Sequence, residues 1–296
     1  MMTRGRLLAL AVLLVLAGSA AASADDAHYG SWRVGPYKIV LDRIASDSQT
    51  DRLRILRDGR VVFAQRDVLL LVSPSHLFIR HGGDAPSQIG RDILGLGQPV
   101  LAIESFSGGA HCCYAVTLVV LGQQAQALPA IDGADFGVAF VRLPGERALD
   151  AHVWDSAFDY YRIYFAASQP PEVTLRFDRQ AMRYEASPDL MRRPAPSPRA
   201  LDKAIAASRD DWPDNPDQTD WVSPTLLRIV SGLIYTGHLD LAHGVTRRAW
   251  LPDHGDVENF WRDLTECQLR RSAYWPAVAA LNGLPALEPA PTCPVP

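Results

Sequence analysis

The sequence predicts an α+β protein: an N-terminal antiparallel β domain built from propeller-like or sandwich-like units, followed by a small C-terminal α-helical domain. Three observations carry this expectation. From Trp32 to about Tyr184, short runs of branched and aromatic residues recur, with turn residues about every 8 to 15 positions. MRRPAPSPR (191–199) then sets prolines at alternating positions, which keeps the backbone extended and marks a linker. Beyond it the spacing of apolar residues becomes helical.

YKIVLDRI (37–44) has the branched and aromatic content of a half-buried strand. DRLRILRDGRVVFAQ (51–65) alternates apolar and polar residues around Asp58-Gly59, the dipeptide of a tight hairpin turn. HLFIR (76–80), PVLAIESF (99–106), YAVTLVVLG (114–122) and DFGVAFVRL (135–143) continue the series. ALDAHVW (148–154), YYRIYFAA (160–167) and EVTLRFD (172–178) complete it, and the absence of strand–helix alternation excludes a doubly wound sheet.

The helical domain is expected over residues 200–285. Ser197-Pro198 and Ser223-Pro224 each read as an N-cap followed by proline in the first turn. After Pro224, Leu226, Leu227, Val230, Leu233 and Ile234 share one face, and Gly237 ends the helix. A second helix over about 239–250 makes one tetratricopeptide-like hairpin, a unit that needs neighbours to be stable. A third begins near Asp256 and a last one runs from Pro276 to Asn282-Gly283, before a proline-rich tail at 286–296. Trp250, Trp261 and Trp275 sit at helical spacing, which favours packing over sugar stacking.

The N-terminus sets the compartment. Arg4 and Arg6 precede an apolar run, Leu7 to Ala17, and an Ala22-Ser23-Ala24 end, which is the pattern of a secretory signal peptide spanning 1–24. The run is too short to span a bilayer, which takes roughly 20 apolar residues. A periplasmic or secreted protein without a transmembrane segment in its mature chain is expected. Loss of 1–24 moves the net charge from −4 to −6. With no basic stripe along the chain, nucleic acid and anionic lipid are poor partners, and an envelope protein or glycan is the expected ligand.

The four cysteines, Cys112, Cys113, Cys267 and Cys293, belong to an oxidising compartment and permit three complete pairings. Cys267 falls on the buried stripe of the third helix, which suits a structural disulfide with Cys293. Cys112 and Cys113 sit in SFSGGAHCCYAV (105–116). Adjacent residues of a strand point to opposite faces, and zinc sites separate paired cysteines by two to four residues. A vicinal disulfide is therefore preferred over bonds to distant cysteines, a metal site or redox chemistry. Should chemistry reside here, His111, Cys112, Cys113 and Glu104 are its candidates. Ser105 and Ser107 lack the strand–nucleophile–helix setting of a hydrolase elbow.

Two loops have the outline of cation sites. DILGLGQPV (92–100) keeps one carboxylate, Asp92, where calcium needs six to eight oxygens, and Leu94 and Leu96 occupy ligand positions. SRDDWPDNPDQTDW (208–221) carries Asp210, Asp211, Asp214, Asp217 and Asp220 without the glycine and glutamate of an EF-hand. No cofactor is expected, and calcium is disfavoured.

The stretch G-x-G-x-P-x-L-x-I-x-x-F-S-G-G-A-H-C-C (95–113) resembles a segment of integrin-type repeats (FG-GAP, also called VCBS) found in a group of exported bacterial proteins. FVRLPGERALDAHVWDSAFDYY (140–161) resembles a second copy, with Pro144-Gly145-Glu146 where an acidic loop is usual. The resemblance extends through LIYTGHLDLA (233–242) and SAYWPAVAALNG (272–283). It implies propeller-type β units with a helical tail and carries no activity with it. Together these readings point to an exported, non-catalytic binding or scaffold protein of the bacterial envelope. The alternative is a redox or metal-dependent enzyme centred on His111, Cys112 and Cys113.

Overall fold

The computed structural model describes residues 29–44, 49–80, 83–84, 88–109, 113–213, 220–289 and 293. The expected signal peptide, together with His111, Cys112, Asp214 and Asp217, lies outside the described residues.

The first sheet is a four-stranded meander, β1 (Gly30–Val34), β2 (Tyr37–Arg43), β3 (Asp51–Arg57) and β4 (Arg60–Asp67), paired in that order. Asp58 and Gly59 both take positive φ in the β3–β4 turn, as a two-residue hairpin of this hand requires. Next along the chain come β5 (Leu69–Val72), β6 (Phe78–Arg80) and β7 (Gly83–Asp84). They are followed by β8 (Val100–Phe106), β9 (Tyr114–Leu121), β10 (Ala125–Ala127) and β11 (Ile131–Ala134). Strands β10-β9-β8-β5 form the second sheet, with β11 also on β9. The third sheet takes β12 (Ala139–Val141), β13 (Asp150–Trp154), β14 (Glu172–Asp178) and β15 (Arg183–Ala186) in the order β15-β14-β13-β12-β6-β7. Every pairing is antiparallel except β6 with β12, which is parallel.

The second sheet is the middle layer. Leu101, Ile103, Val119 and Leu121 pack with Tyr37, Ile39, Leu41, Leu53 and Ile55 of the first sheet. The alternate residues Val100, Ala102, Val116, Leu118 and Val120 pack with Phe78, Phe140, Val153 and Leu175 of the third. Strand β8 is accordingly buried on both faces, which is why VLAIESF reads as a continuous apolar run. The architecture among the described residues is three sheets followed by helices, an α+β arrangement without a propeller.

YYRIYFAA is not a strand. Tyr160 and Arg162 adopt positive φ, and only a short 3-10 turn, Phe165–Ala167, forms. Its apolar residues serve tertiary packing instead: Tyr161 lies against Phe158 and Phe260, and the Val222 amide donates to the Arg162 carbonyl.

The helices are α1 (Pro188–Met191), α2 (Pro198–Asp210), α3 (Pro224–Ile234), α4 (Leu239–Ala249), α5 (Val257–Arg262), α6 (Leu269–Arg271) and α7 (Trp275–Leu281). A π-turn, Asp263–Gln268, joins α5 to α6. The two expected caps form, Ser197 accepting from the Ala200 amide and Ser223 from Leu226, and Asp256 caps α5 by accepting from Glu258. The larger core runs from the second and third sheets directly into α2–α5 and α7.

At the join, the buried Asp155 carboxylate accepts from the Tyr235 hydroxyl, the Ser272 hydroxyl and the Ala157 amide at 3.0 Å. Burial raises the pKa of Asp155, and the three donors oppose that rise. Nearby, Tyr161 and Arg162 both donate to Asp263 of the π-turn, at 3.1 and 2.7 Å. A disulfide joins Cys267 to Cys293, and Trp275 Nε1 donates to the Leu287 carbonyl, so the tail lies along the helices.

One expectation is corrected by the register of the first sheet. Directly paired residues share a face, and the pairs Arg33↔Lys38, Val40↔Arg54, Asp42↔Arg52 and Arg52↔Arg66 place Arg33, Lys38, Arg52, Arg54 and Arg66 together on the side away from the core. No basic stripe is visible along the chain because these cations are separated by alternation and by turns. Folding gathers them.

Candidate functional site

A groove of about 420 Å³ opens between the second and third sheets, at the end where the β8–β9 hairpin turns. Its floor is Glu104. This residue pairs with Leu71 of β5 and Val116 of β9, and alternation aims its side chain toward the third sheet. It is only 5 % exposed. A buried carboxylate needs a partner, and His76 supplies one, with Nε2 2.8 Å from Glu104 Oε2. His76 sits in the 3-10 turn Ser75–Leu77 between β5 and β6, with its side chain 54 % exposed, so the dyad links the groove floor to solvent.

The opposite wall is the loop after β11. Ala134 accepts a positive φ, and the Phe136 and Gly137 amides both donate to the Gly133 carbonyl. A Cβ on Gly133 would lie 2.7 Å from the Gly137 backbone, so the turn closes only with glycine there. Gly137 has φ +75° and faces the second oxygen of Glu104, from which a Cβ would be 4.0 Å away. The turn therefore leaves that oxygen open and lifts Phe136 to 51 % exposure. Phe136 tilts against Trp154 of β13 at 5.7 Å, and Tyr114 stacks on Phe106 at 4.7 Å on the hairpin side. Three aromatic faces, Tyr114, Phe136 and Trp154, thus line the groove with Glu104, His76 and Asp135.

Acid groups crowd behind it. Asp159 is pushed up to about 6 by burial and by the charges of Asp135 and Asp155. Among the described residues its Oδ1 is buried without a hydrogen-bond partner.

Of the candidates read from the sequence, Glu104 lies in this groove. Cys113 is disulfide-bonded and its carbonyl accepts from the Ser107 amide at 3.4 Å, one residue before the groove-lining Tyr114. His111 and Cys112 lie outside the described residues. The sequence reading missed His76, Phe136 and Trp154. No motif joins them, because they meet through the β5–β8 and β6–β12 pairings, between residues about 30 to 60 positions apart. The one available signal for Glu104 was a carboxylate inside the continuous apolar run of β8.

The carboxylate of the Asp92 loop is occupied by the loop's own backbone. Asp92 Oδ1 accepts from the Leu96 amide at 2.9 Å and Oδ2 from Gly97 at 2.8 Å, while Ile93 and Leu94 are buried. In the acidic loop, Asp211 accepts from Ser223 and from the Thr225 amide, capping α3. Asp220 lies 3.7 Å from Arg162. Among the described residues no three His, Cys, Asp or Glu side chains are grouped to hold a metal ion. No described helix is long and apolar enough to cross a membrane. Trp261 stacks on His243 at 4.5 Å, and Trp250 packs against Trp212 and Phe260.

No family model, curated protein or solved structure matches this chain.

Proposed function

We propose that the chain is an exported, non-catalytic binding protein of the bacterial envelope, and that its ligand is a glycan held in the groove between Glu104 and Phe136. The observation that carries this reading is the lining. Aromatic faces from Tyr114, Phe136 and Trp154 surround a buried carboxylate whose second oxygen is left open by Gly137. Rings pack on the apolar face of a sugar, and a carboxylate accepts from its hydroxyls. His76 holds Glu104 in place, so the carboxylate is presented to a ligand in a fixed position. The signal-peptide pattern of 1–24 and the resemblance to integrin-type repeats support export and a scaffold role.

The test is a fluorescence titration with soluble peptidoglycan fragments and a panel of envelope oligosaccharides. A saturable change, lost in Trp154→Ala and weakened in Glu104→Gln with unfolding midpoints maintained, is expected. No saturable response from any member of the panel overturns the reading.

A second reading, a redox enzyme centred on His111, Cys112 and Cys113, draws on one observation: disulfide-bonded Cys113 adjoins a strand residue of the groove wall. Mass measurement with and without mild alkylation separates the two. A pair that takes up label after gentle reduction favours the enzyme. An unreactive pair favours a brace formed by a vicinal Cys112–Cys113 bond.

A further inference from the structure

We propose that the outer face of the first sheet docks on an anionic phospholipid surface. Five cations meet one carboxylate there: Arg33 on β1, Lys38 on β2, Arg52 and Arg54 on β3 and Arg66 on β4, against Asp42 on β2. Asp42 is bonded by Arg52 at 3.1 and 2.9 Å and by Arg54 at 2.9 Å, so its charge is already shared. Arg33, Lys38 and Arg66 are exposed and have no acidic partner among the described residues. The chain as a whole carries −4, so this concentration of positive charge on one layer is local.

The register itself points to a partner outside the fold. Arg33 stands directly opposite Lys38, and Arg52 opposite Arg66. Like charges in direct cross-strand register weaken a sheet, and a single reversal in each pair would turn repulsion into attraction. Of the five cations only Arg52 and Arg54 find an acidic partner among the described residues, Asp42. The arrangement gives an anionic surface a dense set of donors.

The shape selects among polyanions. Four strands about 4.8 Å apart and roughly seven residues long make a plane of about 14 by 23 Å, with cations distributed along both directions. A linear polyanion would meet one row of them, whereas a planar array of phosphate headgroups meets all. At the β-bulge beside Leu56, Val61 and Val62 are 51 % and 44 % exposed next to the cations. Aliphatic side chains flanking basic ones suit the boundary between headgroups and acyl chains. This face is on the opposite side of the first sheet from the core it shares with the middle layer, so docking leaves the glycan groove open and does not depend on it.

The experiment is co-flotation of the purified protein with vesicles of phosphatidylcholine alone or with about 30 % phosphatidylglycerol, a content at which each basic residue contributes roughly a five-fold gain in binding. Binding to the anionic vesicles only, falling at least ten-fold between low and half-molar salt, is expected. Lys38→Glu with Arg66→Glu neutralises the face and converts two like-charge pairs into opposite-charge pairs. It should abolish vesicle binding while the thermal midpoint holds or rises, an outcome a purely structural role for these residues would not produce. Lys38→Gln and Arg66→Gln, each expected to weaken binding about five-fold, serve where the double reversal fails to fold. Equal binding to both vesicle types, no binding to the anionic ones, or undiminished binding by the variants overturns the proposal. So does capture by heparin without capture by vesicles.

Discussion

Asp159 offers a test with a pH signature. Its carboxyl is raised from an ordinary 3.8 to about 6 by burial, with Asp135 and Asp155 adding repulsion, and its Oδ1 is buried without a described partner. The folded pKa is the higher one, so the native state keeps the proton between about pH 4 and 6 where the unfolded chain has lost it. Stability from this group therefore falls as pH rises through that window, and the full cost is present at pH 7. A shift of this size corresponds to about 3 kcal/mol without screening. Because the side chain is only partly buried, solvent reduces the expected cost to about 1 kcal/mol. Asp159→Asn keeps the shape and removes the charge. Chemical unfolding followed by tryptophan fluorescence should show a gain of about 1 kcal/mol at pH 7, or about 2–4 °C in thermal midpoint, fading toward zero at pH 4. An equal gain at both pH values would mean that charge is not the cause. A loss at pH 7 would mean that the carboxylate is satisfied in solution, and either result refutes the argument.

Tyr235→Phe withdraws a hydroxyl donor from the buried Asp155 and should cost about 1.5–3 kcal/mol in urea unfolding, the value of a hydrogen bond to a charged group. A cost below a few tenths would show that the join does not depend on it. Replacing Cys267 and Cys293 together by serine reopens a loop with a sequence separation of 26 and should lower stability by about 3.5 kcal/mol. Limited proteolysis should then cut first in the released tail, and unchanged protection there would contradict the staple. Gly137→Ala places a β-carbon at φ +75° beside Glu104, with strain of about 1–2 kcal/mol. It should weaken glycan binding more than it lowers the midpoint, as compared by titration and thermal unfolding of the same sample.

Local signals were legible because local physics produces them. Ser197 and Ser223 cap their helices as the Ser-Pro pattern predicts, and the Asp58-Gly59 turn falls where the dipeptide requires it. The YYRIYFAA segment was misread because its aromatic content, the usual mark of a strand, is spent on contacts with α5 and the chain before α3. The sequence marks Glu104 only as a neighbour of His111, Cys112 and Cys113, and the structure places it in the groove. Its partner His76 and the aromatic wall were not legible, since no sequence spacing connects β5, β8 and β13.

The sequence by itself determined the Asp58-Gly59 turn, the Ser197 and Ser223 caps and the change from strand to helix spacing, because each depends on neighbours along the chain. Tertiary structure alone decided the three-layer stacking, the meeting of His76 with Glu104 and the gathering of five cations on one face. Those features arise from sheet register, a relation between residues far apart in the chain that no local pattern encodes.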